Sequence, residues 1–120
     1  MSYKVIPVDK FKREAKRLVK KYPSLKIELA EIAESLSEEP TLGTSLGNDT
    51  YKIRISIKSK GKGKSGGARV ITLVETTLIG IAEYNNDNEV IVNLISIYDK
   101  ADIENISDKE LKDLIRSIKS

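Results

Sequence analysis

The sequence predicts an α+β fold whose elements follow in the order β-α-α-β-β-β-α. Apolar residues recur with a helical period on both sides of Pro23, which predicts two helices. Ser107 and Glu110 form a capping box that predicts a third helix near the end of the chain. From Tyr51 onward apolar and polar residues alternate with a period of two, which is typical of strands. The 120 residues most simply form one domain, residues 1–120.

The first half of the chain is expected to supply a strand and a helical hairpin. Residues 3–8 are β-branched and predict a short strand, whose Pro7 suits an edge. Two amphipathic helices follow, joined by a few residues, and each must bury its apolar stripe. Those stripes comprise Phe11, Ala15, Leu18, Val19 and Tyr22 in the first helix and Leu25, Leu29, Ile32 and Leu36 in the second.

The second half is expected to form an antiparallel sheet and to end in a helix. Residues 40–48 are rich in Gly, Pro, Ser and Thr and predict a loop. Residues 51–58, 69–77 and 90–98 predict three strands, and their short connections favour an antiparallel meander. The helical hairpin can then cover one face of that sheet.

The composition excludes several classes of chemistry. The chain has no cysteine and no histidine, which removes disulfides, zinc sites of the usual kind and Ser-His or Cys-His catalysis. We expect no cofactor and no metal. Neither an apolar signal core nor a membrane span is visible in the sequence, so the expected location is the cytoplasm.

Positive charge is concentrated in one window of the chain. Between Thr50 and Val74 lie seven of the 21 basic residues and none of the 18 acidic ones. Such a field indicates a polyanionic partner, most commonly nucleic acid. A solvated basic face is the alternative. The seven residues are Lys52, Arg54, Lys58, Lys60, Lys62, Lys64 and Arg69.

The glycine-rich part of this window is not a nucleotide-binding P-loop. Gly63-Lys64-Ser65 resembles the end of that motif, but the motif needs glycine at position 58, which is lysine, and a following helix where the sequence predicts a strand. Residues 60–67 instead predict a basic loop. Lysines there can approach a phosphate backbone, or can simply keep a hairpin tip soluble.

The strand positions in the window carry the sharper hypothesis. By alternation Lys52, Arg54 and Lys58 project from one face of a strand, and Arg69 begins the next strand. Like charges on neighbouring strands destabilise each other, so a bound anion explains the cluster better than folding does.

With the motif at residues 97–100 (IYDK), these features resemble the RelE/ParE superfamily, and within it the RelE/HigB-like toxins of type II toxin–antitoxin modules. The runs KSKGKGKSGGARVIT, IYDK and ENISDKEL carry the resemblance, which extends over nearly the whole chain. It implies a small RelE-like fold and a ribosome-dependent mRNA endonuclease, or mRNA interferase, that inhibits translation without a metal. It also implies a cognate antitoxin that binds and silences the protein in a hetero-oligomer.

The resemblance also implies roles for individual residues. Arg69 matches an arginine that clamps the scissile phosphate, and Arg54 and Lys58 match basic positions of the second strand. Tyr98 and Lys100 match a region where the family places an aromatic or basic catalytic group. Tyr98 could stack on a base or act as an acid; a half-buried strand tyrosine is the other interpretation. Lys52, Lys60, Lys62 and Lys64 are expected to bind RNA.

The chain departs from the family pattern in two places, and two other functions stay open. The loop at residues 60–67 is longer and richer in lysine, and the chain ends in a long helix that an antitoxin could engage. A ParE-like inhibitor of DNA gyrase is one alternative, because the same fold serves both activities. A non-catalytic RNA-binding module is the other.

Overall fold

The computed structural model describes residues 2–60, 66–78, 88–103 and 106–119. Five strands, three α-helices and one short 3₁₀ helix lie in these ranges. They are β1 (Ser2–Pro7), α1 (Asp9–Lys21), α2 (Leu25–Glu38), β2 (Thr44–Gly47), β3 (Thr50–Ile55), the 3₁₀ helix Lys58–Lys60, β4 (Ala68–Leu78), β5 (Asn88–Asp99) and α3 (Asp108–Lys119).

The strands form one mixed sheet in the order β1-β5-β4-β3-β2. Strands β2 to β5 form an antiparallel meander, whereas β1 pairs in parallel with β5. The predicted α+β class is therefore confirmed, and the expectation of an antiparallel sheet is wrong for β1. The reason is topological: the helical hairpin carries the chain from one edge of the sheet to the other, and the returning meander brings β5 beside β1 in the same direction.

A strand that the sequence did not predict lies at the far edge of the sheet. β2 occupies part of residues 40–48, the segment expected to be a loop, and it joins β3 through a two-residue turn. Asn48 and Asp49 both have positive φ, 53° and 62°. Tight hairpin turns need positive φ at both central residues, and Asn and Asp tolerate it better than most residues. The Gly47-Asn48-Asp49-Thr50 sequence was thus a hairpin signal within an apparent loop.

The sheet is covered on both faces. The helical hairpin packs on one face, where Phe11, Leu18, Leu25 and Leu36 join the apolar side chains of the strands. Helix α3 packs on the opposite face, where Leu111 meets residues of the two central strands, Ile71, Leu73, Ile95 and Tyr98. Because β4 is central and covered on both sides, residues 68–73 are all buried, and so this segment reads as a nearly continuous apolar run.

The N-cap hydrogen bond predicted for the last helix is present. Ser107 Oγ accepts a hydrogen bond from the backbone N–H of Glu110 at 3.1 Å, and its hydroxyl lies 3.2 Å from the Glu110 carboxylate. This cap fixes where α3 begins. The apolar side chains of α3 then face the sheet.

Gly67 allows β3 and β4 to approach each other where the sheet meets residue 100. A Cβ added at Gly67 would overlap the carbonyl oxygen of Ile55. The carbonyl oxygen of Gly67 accepts a hydrogen bond from the backbone N–H of Lys100 at 3.0 Å. A residue without a side chain is therefore needed at this junction of three strand ends.

We predict that Gly67→Ala destabilises the fold by about 1–3 kcal/mol, since the added methyl group has no space and the strands must separate. Urea unfolding followed by circular dichroism measures this change. Thr41→Ala, at an exposed loop position, is the control and should change the unfolding free energy by less than about 0.5 kcal/mol. Equal stability of Gly67→Ala and wild type would contradict the close approach.

Candidate functional site

Three of the predicted site residues form a row across three adjacent strands. Arg54 of β3 pairs with Arg69 of β4, and Arg69 pairs with Tyr98 of β5. Directly opposite residues of antiparallel strands project to the same face, with Cβ atoms about 4.5–5.5 Å apart. The row lies on the side of the sheet that α3 covers, because Tyr98 belongs to the core beneath that helix.

Two lysines extend this row into a cluster of positive charge. Lys52 precedes Arg54 by two residues and so shares its face of β3, and Lys100 follows the end of β5. Burial lowers the pKa of Lys52, and the charges of Arg54, Arg69 and Lys100 lower it further. The four cations therefore act on one another. We call Lys52, Arg54, Arg69 and Lys100 the basic cluster.

The basic cluster weakens the fold that carries it. Because the pKa of Lys52 lies below its ordinary value of 10.5 in the folded protein, the unfolded chain binds more protons than the folded chain does. The electrostatic cost is therefore present at neutral pH and is relieved as the pH rises through the folded pKa towards 10.5. A bound polyanion would relieve the same cost at neutral pH.

Arg69 occupies the centre of the cluster and is 3% exposed. Its Nη1 donates to the carbonyl oxygen of Ala68 at 3.0 Å, which fixes the guanidinium against the strand. Burial lowers the pKa of Arg69, as does the charge of Arg54, whereas Tyr98 opposes the shift. A guanidinium held in this way is preorganised, because it need not reorient when a negative charge arrives.

Tyr98 is buried between the sheet and the start of α3, with 5% of its surface exposed. Its phenolic oxygen accepts a hydrogen bond from the backbone N–H of Ile106 at 3.3 Å. Burial raises the pKa of Tyr98, so the neutral phenol is the favoured form. In this conformation the ring offers no open face on which a base could stack.

A β-bulge places Tyr98 on the same face as the arginines. Ile71 of β4 pairs with Ser96 of β5, but the next residue, Thr72, pairs with Leu94, so the pairing passes over Ile95. Strict alternation from Leu94 through Ser96 would put Tyr98 on the helical-hairpin side. Instead Ser96 and Ile97 both face that side, since Ser96 bonds to Glu14 of α1 and Ile97 lies in the hairpin core. Tyr98 then falls beside Arg69.

Lys58 does not join the row. β3 ends at Ile55, and Lys58 begins the 3₁₀ helix, so the prediction that Lys58 shares a strand face with Arg54 is wrong. The reason lies in its contacts: the Glu28 carboxylate accepts the Lys58 N–H at 2.8 Å, and Ser24 Oγ accepts the Ser59 N–H at 2.9 Å. These bonds attach the turn to α2 and bend the chain away from the sheet.

The loop at residues 60–67 lies only partly within the described residues. Lys60 ends the 3₁₀ helix, and Lys62 and Lys64 lie outside the described residues.

A shallow cleft of about 320 Å³ adjoins the basic cluster at Lys52, between β3 and the start of α3. The cleft is lined by Leu46, Lys52, Ile106, Asp108 and Leu111.

Two residues near the row were missed by the sequence analysis. Glu14 lies in a helix whose exposed face is charged, and no sequence signal sets it apart. Ile106 precedes the Ser107 cap as a staple residue and packs on the core beneath α3, but its backbone bond to Tyr98 has no sequence signal. Among the described residues, no three His, Cys, Asp or Glu side chains come together as a metal site would require. None of the described helices combines the length and apolarity needed to span a membrane.

Comparison with known proteins adds no relative to this description. No protein-family model matches the chain, and neither a curated protein nor a solved structure matches it significantly.

We predict that Arg54→Thr stabilises the fold. The substitution removes the like charge directly opposite Arg69, which should raise the unfolding free energy by about 0.2–1 kcal/mol. Urea unfolding followed by circular dichroism measures this change.

Lys4→Thr is the matched control for Arg54→Thr. It also removes a positive charge from a strand, but from β1 and outside the basic cluster, so the unfolding free energy should not rise. A loss of stability in Arg54→Thr would show that Arg54 supports the fold rather than straining it.

Proposed function

We propose that this protein is the toxin of a type II toxin–antitoxin module and that it cleaves mRNA on the ribosome without a metal. The observation that supports this most is the row of Arg54, Arg69 and Tyr98 within the basic cluster. It combines preorganised positive charge with a neutral proton donor. Its residues are those in which the sequence resembles RelE/HigB-like toxins.

The proposed reaction is an attack of a ribose 2′-oxygen on the adjacent phosphorus. The new bond joins the 2′-oxygen to phosphorus and the bond from phosphorus to the 5′-oxygen breaks, which leaves a 2′,3′-cyclic phosphate and a free 5′-hydroxyl. One group must take the 2′-proton and another must protonate the 5′-oxygen. The pentacoordinate intermediate carries extra negative charge, which fixed cations stabilise.

The residues can be assigned to these steps from their environments. Arg54, whose side chain is exposed, would contact the phosphate oxygens, and Arg69, which pairs with it across the strands, would add fixed positive charge from within the sheet. Tyr98 would be the proton donor because its phenol lies in the row beside Arg69 and is protonated at neutral pH. Lys52 would release its own proton more readily than an ordinary lysine, because burial and the neighbouring cations lower its pKa, and the amine could then accept the 2′-proton. Lys100 would add charge beside the leaving group.

The partners follow from the same proposal. The basic cluster would bind messenger RNA, and the loop lysines Lys60, Lys62 and Lys64, together with Lys58, would add contacts to messenger or ribosomal RNA. Such contacts weaken as the salt concentration rises. A cognate antitoxin would silence the toxin by covering the exposed part of the basic cluster, where Arg54 lies. The reaction would take place in the cytoplasm.

We predict that Arg69→Ala abolishes both growth arrest and mRNA cleavage, because it removes the central cation of the row. The measurement is the mapping of mRNA 5′ ends in cells after induction, together with growth curves. Arg13→Ala removes an exposed arginine of α1 and should arrest growth as wild type does. Because Arg69 is buried, circular dichroism must show that the variant is folded; a folded Arg69→Ala that still cuts mRNA would overturn its role.

The same experiment separates the alternatives. Growth arrest with intact mRNA, accompanied by inhibition of purified gyrase in a supercoiling assay, would support the ParE-like function instead. Salt-sensitive RNA binding without cleavage, even on translating ribosomes, would support the non-catalytic module.

We predict that Tyr98→Phe lowers the single-turnover cleavage rate on programmed ribosomes by about 10²–10⁴-fold, as expected for the loss of a general acid. Affinity for the ribosome should stay the same, because the four cations remain. An unchanged rate would show that the phenol serves only to hold the Ile106 N–H.

A further inference from the structure

The carboxylate of Glu14, in helix α1, holds the bulge in β5. Glu14 Oε1 accepts the hydroxyl of Ser96 at 3.1 Å and the backbone N–H of Ile97 at 3.2 Å. Its other oxygen, Oε2, pairs with Lys10 Nζ at 2.7 Å, and the same ammonium donates to Ser96 Oγ at 3.2 Å. The contacts of Lys10 and Glu14 with β5 thus connect α1 to Ser96 and Ile97, the two residues at which the alternation of β5 changes.

These contacts stabilise an arrangement that the sheet alone disfavours. A bulge disrupts the ladder locally, so backbone groups there need other partners. Ser96 is 3% exposed, and the Glu14 side chain is 20% exposed. Water therefore has little access to these groups, and the carboxylate supplies the acceptor that the Ile97 N–H requires.

We infer that Glu14 is a positioning residue for the proposed reaction: by holding the bulge, it keeps Tyr98 on the face of Arg54 and Arg69. The inference rests on the proposed function. Without the bulge, residues 94, 96 and 98 would share a face by alternation, and the phenol would be lost from the row. Glu14 itself lies on the helical-hairpin side of the sheet and acts through Ser96 and Ile97.

A merely structural role predicts a different pattern of effects. A contact that only fastens α1 to the sheet would lower stability without moving Tyr98. The positioning role makes the backbone N–H of Ile106 an internal reporter, because this group donates to the phenolic oxygen of Tyr98. If Tyr98 leaves the row, protection of the Ile106 amide is lost together with that of the Ile97 amide.

The experiment compares Glu14→Ala, Glu14→Gln and Lys10→Met in the full chain by amide hydrogen exchange. Glu14→Ala should raise the exchange rates of Ile97 and Ile106 by about tenfold or more, while the amide of Ile53 in β3 exchanges as in wild type. Glu14→Gln keeps an oxygen acceptor and should restore both amides to within about threefold of wild type. Lys10→Met keeps the carboxylate and should behave likewise. Glu34→Ala, an exposed glutamate of α2, is the matched control.

The functional arm uses single-turnover cleavage on programmed ribosomes. Glu14→Ala should lower the rate constant by about 10²-fold, since a misplaced catalytic group commonly costs this much. Affinity should stay within about threefold because the basic cluster is intact, and Glu14→Gln should recover most of the rate. A folded Glu14→Ala with unchanged Ile106 exchange would overturn the inference. Equal impairment of Glu14→Ala and Glu14→Gln would also overturn it.

Two results keep this inference separate from the proposed function. If wild type cleaves no RNA, the proposed function fails, while the exchange rates still decide whether Glu14 places Tyr98. If Glu14→Ala does not fold, Ser96→Ala replaces it. That variant removes one of the two bonds to Oε1, and it should raise Ile97 and Ile106 exchange together while Ile53 stays protected. Exchange raised at Ile97 alone would overturn the inference.

Discussion

The arrangement of the site depends on one change of alternation within β5. This strand is buried on both faces, so it contributes side chains to the hairpin core and to the core beneath α3. Before the bulge, Leu94 faces the hairpin; after it, Tyr98 faces α3. The single extra residue of the bulge therefore places Tyr98 on the α3 side of the sheet and not on the hairpin side. For this reason Tyr98 lies opposite Arg69 on the same face.

The basic cluster shows how a fold can carry a functional strain. Arg54 and Arg69 stand directly opposite each other on neighbouring strands, where like charges are unfavourable. The surrounding structure holds them there nonetheless, through the buried β4 and the hydrogen bond from Arg69 to the backbone of Ala68. Groups whose pKa is shifted by burial and by neighbouring charges, as those of Lys52 and Arg69 are, occur preferentially at functional sites. Three of the seven basic residues of the sequence window, Lys52, Arg54 and Arg69, thus lie on one face of the sheet.

Regular patterns made part of this structure predictable. The stripes of the first two helices, the Ser107–Glu110 cap and the alternation from Tyr51 to Ile55 are local signals, and the structure contains each element. The parallel pairing of β1 was not predictable, because it depends on where the chain returns after the hairpin. The bulge was not predictable either: residues 90–98 are apolar on both faces, so a change of alternation leaves no trace in the sequence. Lys58 was misplaced because a contact with α2, distant in sequence, ends the strand early.

The parallel pairing of β1 with β5 also constrains the order in which the molecule can form. β1 is synthesised well before its ladder partner β5, with Tyr3 opposite Val90. A pairing between such distant segments requires a large loop to close and slows folding. On the ribosome, Arg54 and Arg69 emerge well before β5 can complete the sheet. A nascent chain would therefore acquire its full row of site residues only after β5 has emerged.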